Sequence, residues 1–237
     1  MSRVRFAAAA TLLAACLVGP AVHAQDSTSG LLVAVDEVYL PSGFADREAT
    51  RAFLDSTIAA RLTEAGYRLV PPDRVRLVWN RIRDSVGGFY DTYTGRVIDE
   101  KYQAVYRTTR AELRDHLGAR AWLTPTVRFR SVWFGGGKVE WDGVKEETGG
   151  RGGLEGFLFG RHTGLLTALS LRVEVEDMSG AITHRGWGGI QLAMHLVEGK
   201  LARLPPDSLL LDTGRIANAV RLALDSLAIR LPPHPAD

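Results

Sequence analysis

Cysteine is nearly missing from this chain, with one in 237 residues. That excludes a disulfide framework and a Cys-rich zinc module. Lysine is almost as scarce, four against 25 arginines, and the 29 basic residues face 27 acidic ones. Such a balance lacks the basic surplus of a general nucleic-acid binder, so no nucleic-acid partner is expected. Long apolar runs are missing after the first twenty residues, and nothing later spans a bilayer as a helix. With 46% apolar residues the chain is too hydrophobic, and too evenly charged, to be a disordered tail.

The motifs of common chemistries are missing too. There is no Gly-x-Ser-x-Gly elbow to expose a nucleophile. There is no Gly-Lys-Ser/Thr phosphate loop, no Gly-x-Gly-x-x-Gly and no His-Glu-x-x-His. No catalytic residue, metal or cofactor is therefore expected. His116, His162, His184 and His195 are scattered, the last two on opposite faces by parity. Asp36 and Glu37 stand near the carboxyl end of the first strand, where open α/β sheets bind ligands. Neighbours in a strand point to opposite faces, so we read both as solvated or helix-capping groups. Asp91-Thr92-Tyr93-Thr94-Gly95 resembles half a calcium loop without its later acidic ligands. With Tyr90 and Tyr93 it reads as a recognition loop.

At the N-terminus, Arg3 and Arg5 precede an apolar run from Phe6 to Val18, Gly19-Pro20 break it, and Val22-His23-Ala24 precede Gln25. This is the order of a secretory signal peptide. The run is roughly 20 Å long as a helix, short of the roughly 30 Å of a bilayer core. Residues 1–24 are thus expected to be removed, leaving 27 basic and 27 acidic residues and no cysteine. A second reading takes Leu13-Ala14-Ala15-Cys16 as a lipobox, with Cys16 lipidated and the protein tied to the outer membrane. We favour cleavage after Ala24, because Leu17-Val18 continue the apolar run where a lipobox is followed by polar sequence.

Residues 25–237 read as one domain. Leu31–Leu40 is expected as a buried strand and Tyr67–Val70 as a second. Ala49, Phe53, Leu54, Ile58 and Leu62 recur at helical spacing between them, with Asp46 as the expected cap. A helix opens at Pro71-Pro72, and another runs from Asp99 to Leu117. The period then drops to two over 121–134, 138–144, 165–177 and 182–194, the mark of half-buried antiparallel strands. In the last of these, Ile182, Ile190, Leu192 and Met194 share one face by parity. A final helix follows from Asp212. The expected fold is α/β (α+β): a single mixed sheet with an antiparallel C-terminal meander, its apolar face covered by about four helices. Lys145–Gly164 is expected as a glycine-rich connection whose Phe157, Leu158 and Phe159 dock on a partner.

Three stretches carry a resemblance. Ala59-Ala60-Arg61-Leu62-Thr63-Glu64-Ala65-Gly66-Tyr67-Arg68-Leu69-Val70 runs from helix through glycine to strand. Leu117-Gly118-Ala119-Arg120-Ala121-Trp122-Leu123 repeats that theme, and Val173–Gly180 follows as strand and turn. Together they resemble periplasmic α/β domains of bacterial envelope assembly proteins: the curli-secretion lipoprotein family, the penicillin-binding-protein activator lipoproteins and the N-terminal domain of the Tol propeller protein. The resemblance implies an exported, periplasmic, non-enzymatic module that binds an envelope protein or assembles with itself. The alternative is a secreted hydrolase or small-ligand binder using Asp36, Asp91 or His184.

Overall fold

The computed structural model describes residues 30–44, 46–148, 163–197, 200–225 and 227. The expected signal peptide with Cys16, His162, and Phe157, Leu158 and Phe159 lie outside the described residues.

The fold is a mixed α/β structure. Two parallel strands, β1 (Leu32–Val35) and β2 (Arg68–Val70), pair with each other. Helix α1 (Arg47–Glu64) connects them as a crossover, burying Leu54, Ile58 and Leu62 along one stripe. Gly66 ends it at φ 87°, which lets Tyr67 N–H bond back to Leu62 O at 3.0 Å. Helices α2 (Pro72–Ser85) and α3 (Asp99–Asp115) follow, the first with proline in its opening turn.

Strand β3 (Ala121–Gly135) is the spine of the sheet. Its first residues pair in parallel with β1. Its other edge pairs along its whole length with β6 (Thr163–Asp177), in unbroken register from Ala121↔Asp177 to Gly135↔Thr163. Between them in sequence, β4 (Lys138–Trp141) and β5 (Val144–Glu147) form a hairpin joined to the far end of β3. Strand β7 (Ile182–Leu192) lies outside β6. A separate hairpin, β8 (Met194–Val197) with β9 (Lys200–Arg203), leads to helix α4 (Thr213–Leu224). Asp212 caps α4, accepting from Arg215 N–H at 3.0 Å.

The helices cover both faces of the sheet, not one as expected. Helices α1 and α4 pack on Val33, Val35, Leu123, Val127, Leu169, Leu171, Val173 and Val175. Helices α2 and α3 pack on Ala34 and Trp122, on the opposite face. The alternation hid this, because an aromatic-lined polar face looks like a solvated one. Helix α4 sits close on β7 because Gly186 and Gly188 face it: a Cβ at either would strike the backbone carbonyl of Ala223 or Ala219.

Other expectations change in detail. Strand β1 stops at Val35, and Tyr39 touches β3 only through a bridge to Thr126. Asp46 does not cap α1 with its side chain; it adopts φ 40°, and its carbonyl accepts from Thr50. The glycine-rich connection begins later than Lys145, because 144–147 is strand. Register shifts in the β6–β7 pair break the strict parity of β7. Ile190 therefore joins the α1/α4 core while Leu192 packs under the β4–β5 hairpin, and Ile182 is exposed.

Candidate functional site

Two surfaces stand out, and both are set by where the covering layers stop. The first is a polar trough on the α2/α3 face. Pairing lines its side chains up in cross-strand rows: Thr124, Glu174 and Arg185; Thr126, Arg172 and Trp187; Arg128, Ser170 and Gly189. One wall is α2 and α3, which cover Trp122 and its neighbour Glu176. The other is the β4–β5 hairpin, whose Val139 and Trp141 pack on Val132, Leu166 and Ala168. The hairpin closes over the third row, where Ser170 is fully buried and a Cβ on Gly189 would strike Val144, so the open floor is the first two rows, roughly 7 Å of strand, with exposed Arg128 at its rim.

Arginines dominate the floor. Glu174 binds Arg172 at 2.6 Å and Arg185 at 2.8 Å. Asp142, at the β4–β5 turn, accepts from Arg130 at 2.5 Å and from Ser170 Oγ at 2.6 Å. Arg130 reaches back over Trp187, 4.4 Å from guanidinium carbon to ring centre, and Arg172 lies 6.0 Å from the same ring. Burial lowers the pKa of Arg172, Glu174 opposes this, and the charges of Arg128 and Arg185 add to it.

Asp36 stands at the foot of the helical wall. Its amide donates to Leu123 O at 2.9 Å, and its carboxylate accepts from Thr124 Oγ1 at 3.3 Å. Burial pushes its pKa up to about 7; the Trp122 and Thr124 donors pull the other way, and Glu37 and Glu176 add to the rise. The indole N–H of Trp122 favours the charged form but lies outside regular hydrogen-bond geometry. Asp36 is therefore only partly solvated, beside an aromatic layer that α2 and α3 fold over its neighbour Trp122. Trp79 meets Tyr102, Tyr106 and Trp122 edge-on, and Tyr106 stacks on Trp122 at 4.8 Å. Arg110 covers Tyr106 and approaches Glu176 at 3.6 Å. Glu37 turns instead to Arg76 of α2.

The second surface is the far half of the β3–β6 ribbon, on the α1/α4 face. The helices cover this face as far as Val127 and Leu169. Beyond them Phe129, Trp133 and Leu165 are 48%, 63% and 58% exposed. Trp133 and Leu165 are directly paired across the strands. Beside Phe129 lies a cavity of about 350 Å³, lined in part by Phe44, Met194, Leu204 and Leu209. Among the described residues the outer edge of β3 is open along the same stretch. Its last partner on the β1 side is Tyr39, whose carbonyl accepts from Val127 N–H at 2.9 Å. Pairing on that edge resumes with β4 only at Phe134. By the alternation of an antiparallel ladder, the N–H and C=O of Phe129 and Ser131 point outward there. Among the described residues no strand pairs with them.

Tyr90 and Tyr93 lie elsewhere, on the loop between α2 and α3. This loop is tied down: Tyr90 pairs with Val97, and Phe89 is buried against Trp79 and Tyr102. Asp91 holds the turn; its Oδ1 accepts from the N–H groups of Tyr93 and Thr94 and from Thr94 Oγ1. Tyr93 at the tip is 97% exposed. His184 is on the α4 face, its ring 3.2 Å from Ala223 O. Asp36, Asp91 and His184, the residues of the hydrolase alternative, are thus on three separate elements, with His184 on the opposite face of the sheet from the other two, and they form no cluster among the described residues. Among the described residues no three His, Cys, Asp or Glu gather as a metal site requires, and no helix is long and apolar enough to cross a membrane.

Neither the arginine floor nor the open half-ribbon was expected from the sequence. A signal for the first was present in the arginines spaced two apart at 128 and 130. The second had none, since nothing in the alternation says where helices end.

No protein-family model matches the chain, and no curated protein matches it. Among solved structures, the lipoprotein GNA1162 from Neisseria meningitidis is similar at 19% identity and TM-score 0.33, over 68% of this chain and 81% of that one. A PelC dodecamer from Paraburkholderia phytofirmans is similar at 12% identity and TM-score 0.29, over 84% and 88%. At these scores neither likeness bears on what this chain does.

Proposed function

We propose that the chain is an exported, non-enzymatic assembly module of a bacterial envelope, which associates with a second copy of itself through the open edge of β3. The carrying observation is that, among the described residues, an unpaired strand edge and an exposed apolar face coincide at Phe129–Trp133. Outward-pointing peptide groups require hydrogen-bonding partners, which hydrocarbon does not offer and another strand does. The edge is also its own complement. Antiparallel pairing of two copies about Ser131 sets Phe129 of each opposite Trp133 of the other, an isologous contact with aromatic pairs on one face. Ser131, small and exposed, sits at the two-fold axis. The signal-peptide pattern of residues 1–24 supports export to the periplasm.

Sedimentation velocity of the chain from Gln25 onward tests this. The expected result is concentration-dependent association that Ser131→Lys abolishes by placing like charges on the axis, and that Trp133→Ser weakens. A monomer at all concentrations up to about 100 μM, or association indifferent to both substitutions, contradicts it.

A further inference from the structure

The arginine floor has more positive charge than its acids neutralise. Four guanidiniums, those of Arg128, Arg130, Arg172 and Arg185, share two carboxylates, Glu174 and Asp142. Both carboxylates are already divided among partners: Glu174 between two arginines, Asp142 between Arg130 and Ser170. Arg128 is exposed with no ion pair among the described residues. The Nε–H of Arg172 is buried and without an acceptor. A buried unpaired donor and crowded like charges each cost free energy unless an acceptor arrives. Trp187 meanwhile lies under the guanidinium of Arg130 at 4.4 Å and near that of Arg172 at 6.0 Å.

We propose that this trough is a binding site for a soluble oxyanion, a phosphate or carboxylate group, held by Arg128 and Arg172 with Arg185 beside them. Planar guanidinium forks match both groups in bidentate fashion. The walls of helix and hairpin limit the ligand to what fits on two rows of strand residues beside Arg128, a small molecule or one unit of a chain. The proposal goes beyond the assembly reading and does not depend on it, because it uses a face of the sheet and not the edge of β3.

The test is a titration of isotope-labelled protein with inorganic pyrophosphate and, separately, with citrate at low ionic strength. The readout is the indole N–H signals of the five tryptophans, with Trp187→Phe used only to assign one of them. The expected result is a saturable shift of the Trp187 signal with one or both anions at about 1 mM or below, a modest affinity. Arg128→Ala, at an exposed position without an ion pair, weakens binding about ten-fold, and Arg172→Lys, which keeps the charge but loses the fork, weakens it as well. The tighter of the two anions tells whether phosphate or carboxylate is preferred. Absence of saturation with both anions up to about 10 mM overturns the proposal. So does a shift that neither substitution alters, which would mean an adventitious ion only. A response confined to vesicles containing phosphatidylglycerol, with both soluble anions silent, also overturns it and assigns the charge to a lipid surface.

Discussion

The near and far halves of the β3–β6 ribbon have the same alternation and different fates. In the near half, Leu123, Val127, Leu171 and Val173 lie wholly buried under α1 and α4. In the far half, Trp133 and Leu165 on the same face stand more than half exposed, and Phe129, stacked on Phe44, is 48% exposed. Among the described residues, the hydrophobic positions continue beyond the helices that would bury them. An apolar residue outside the reach of its own chain's cover is available to another chain, and that contrast is the basis of the assembly reading.

The largest effect expected to sharpen the contrast is Leu171→Ala. Deleting this fully buried side chain should cost about 2–5 kcal/mol of unfolding free energy by urea titration. Gly188→Val comes next: its side chain would collide with the Ala219 carbonyl and push α4 off β7, at about 1–3 kcal/mol. Removing the α4 cap in Asp212→Ala should cost about 1 kcal/mol. Trp133→Ser in the far half should change the stability of the monomer by less than about 0.5 kcal/mol while weakening association. A loss comparable to that of Leu171→Ala would break the comparison, since it would make Trp133 part of the core.

Asp36 adds a pH dependence to the near half. Its carboxyl titrates at about 7 in the folded protein, against the ordinary value of 3.8 expected of an unfolded chain. Between those values the folded state holds the extra proton, so stability falls as pH rises from about 4 to about 7, by at most ~1.4 kcal/mol per pH unit. Below that window the penalty is absent, and above it the penalty is complete. Asp36→Asn should flatten this part of a stability profile measured by thermal melting at a series of pH values. An unchanged slope would mean that the aromatic layer does not keep Asp36 from water.

Much of the architecture was legible in the sequence, because periodicity reports local burial. The helical stripe of α1, the start of α4 near Asp212 and the Asp177–Gly180 turn all follow from neighbours in the chain. The distribution of helices over two faces was not legible. Trp122 sits among Thr124, Thr126 and Arg128 in the sequence, and only the tertiary packing of Trp79 and Tyr106 makes its side of the sheet a core. The register shifts of β7 were hidden for a similar reason, since a bulge depends on the partner strand. The trough required the pairing of β3, β6 and β7, which brings Arg128, Arg172 and Arg185 from three separate strands onto one floor.

Amide hydrogen exchange along β3, measured at low and high protein concentration, tests the central claim most directly. Val127, whose N–H is bonded to Tyr39 O, should be protected at both concentrations. The amides of Phe129 and Ser131 should exchange quickly when dilute and become protected when concentrated, as a second strand pairs with that edge. Equal exchange of Phe129 and Ser131 at the two concentrations, in a sample that does associate, would contradict assembly through the β3 edge.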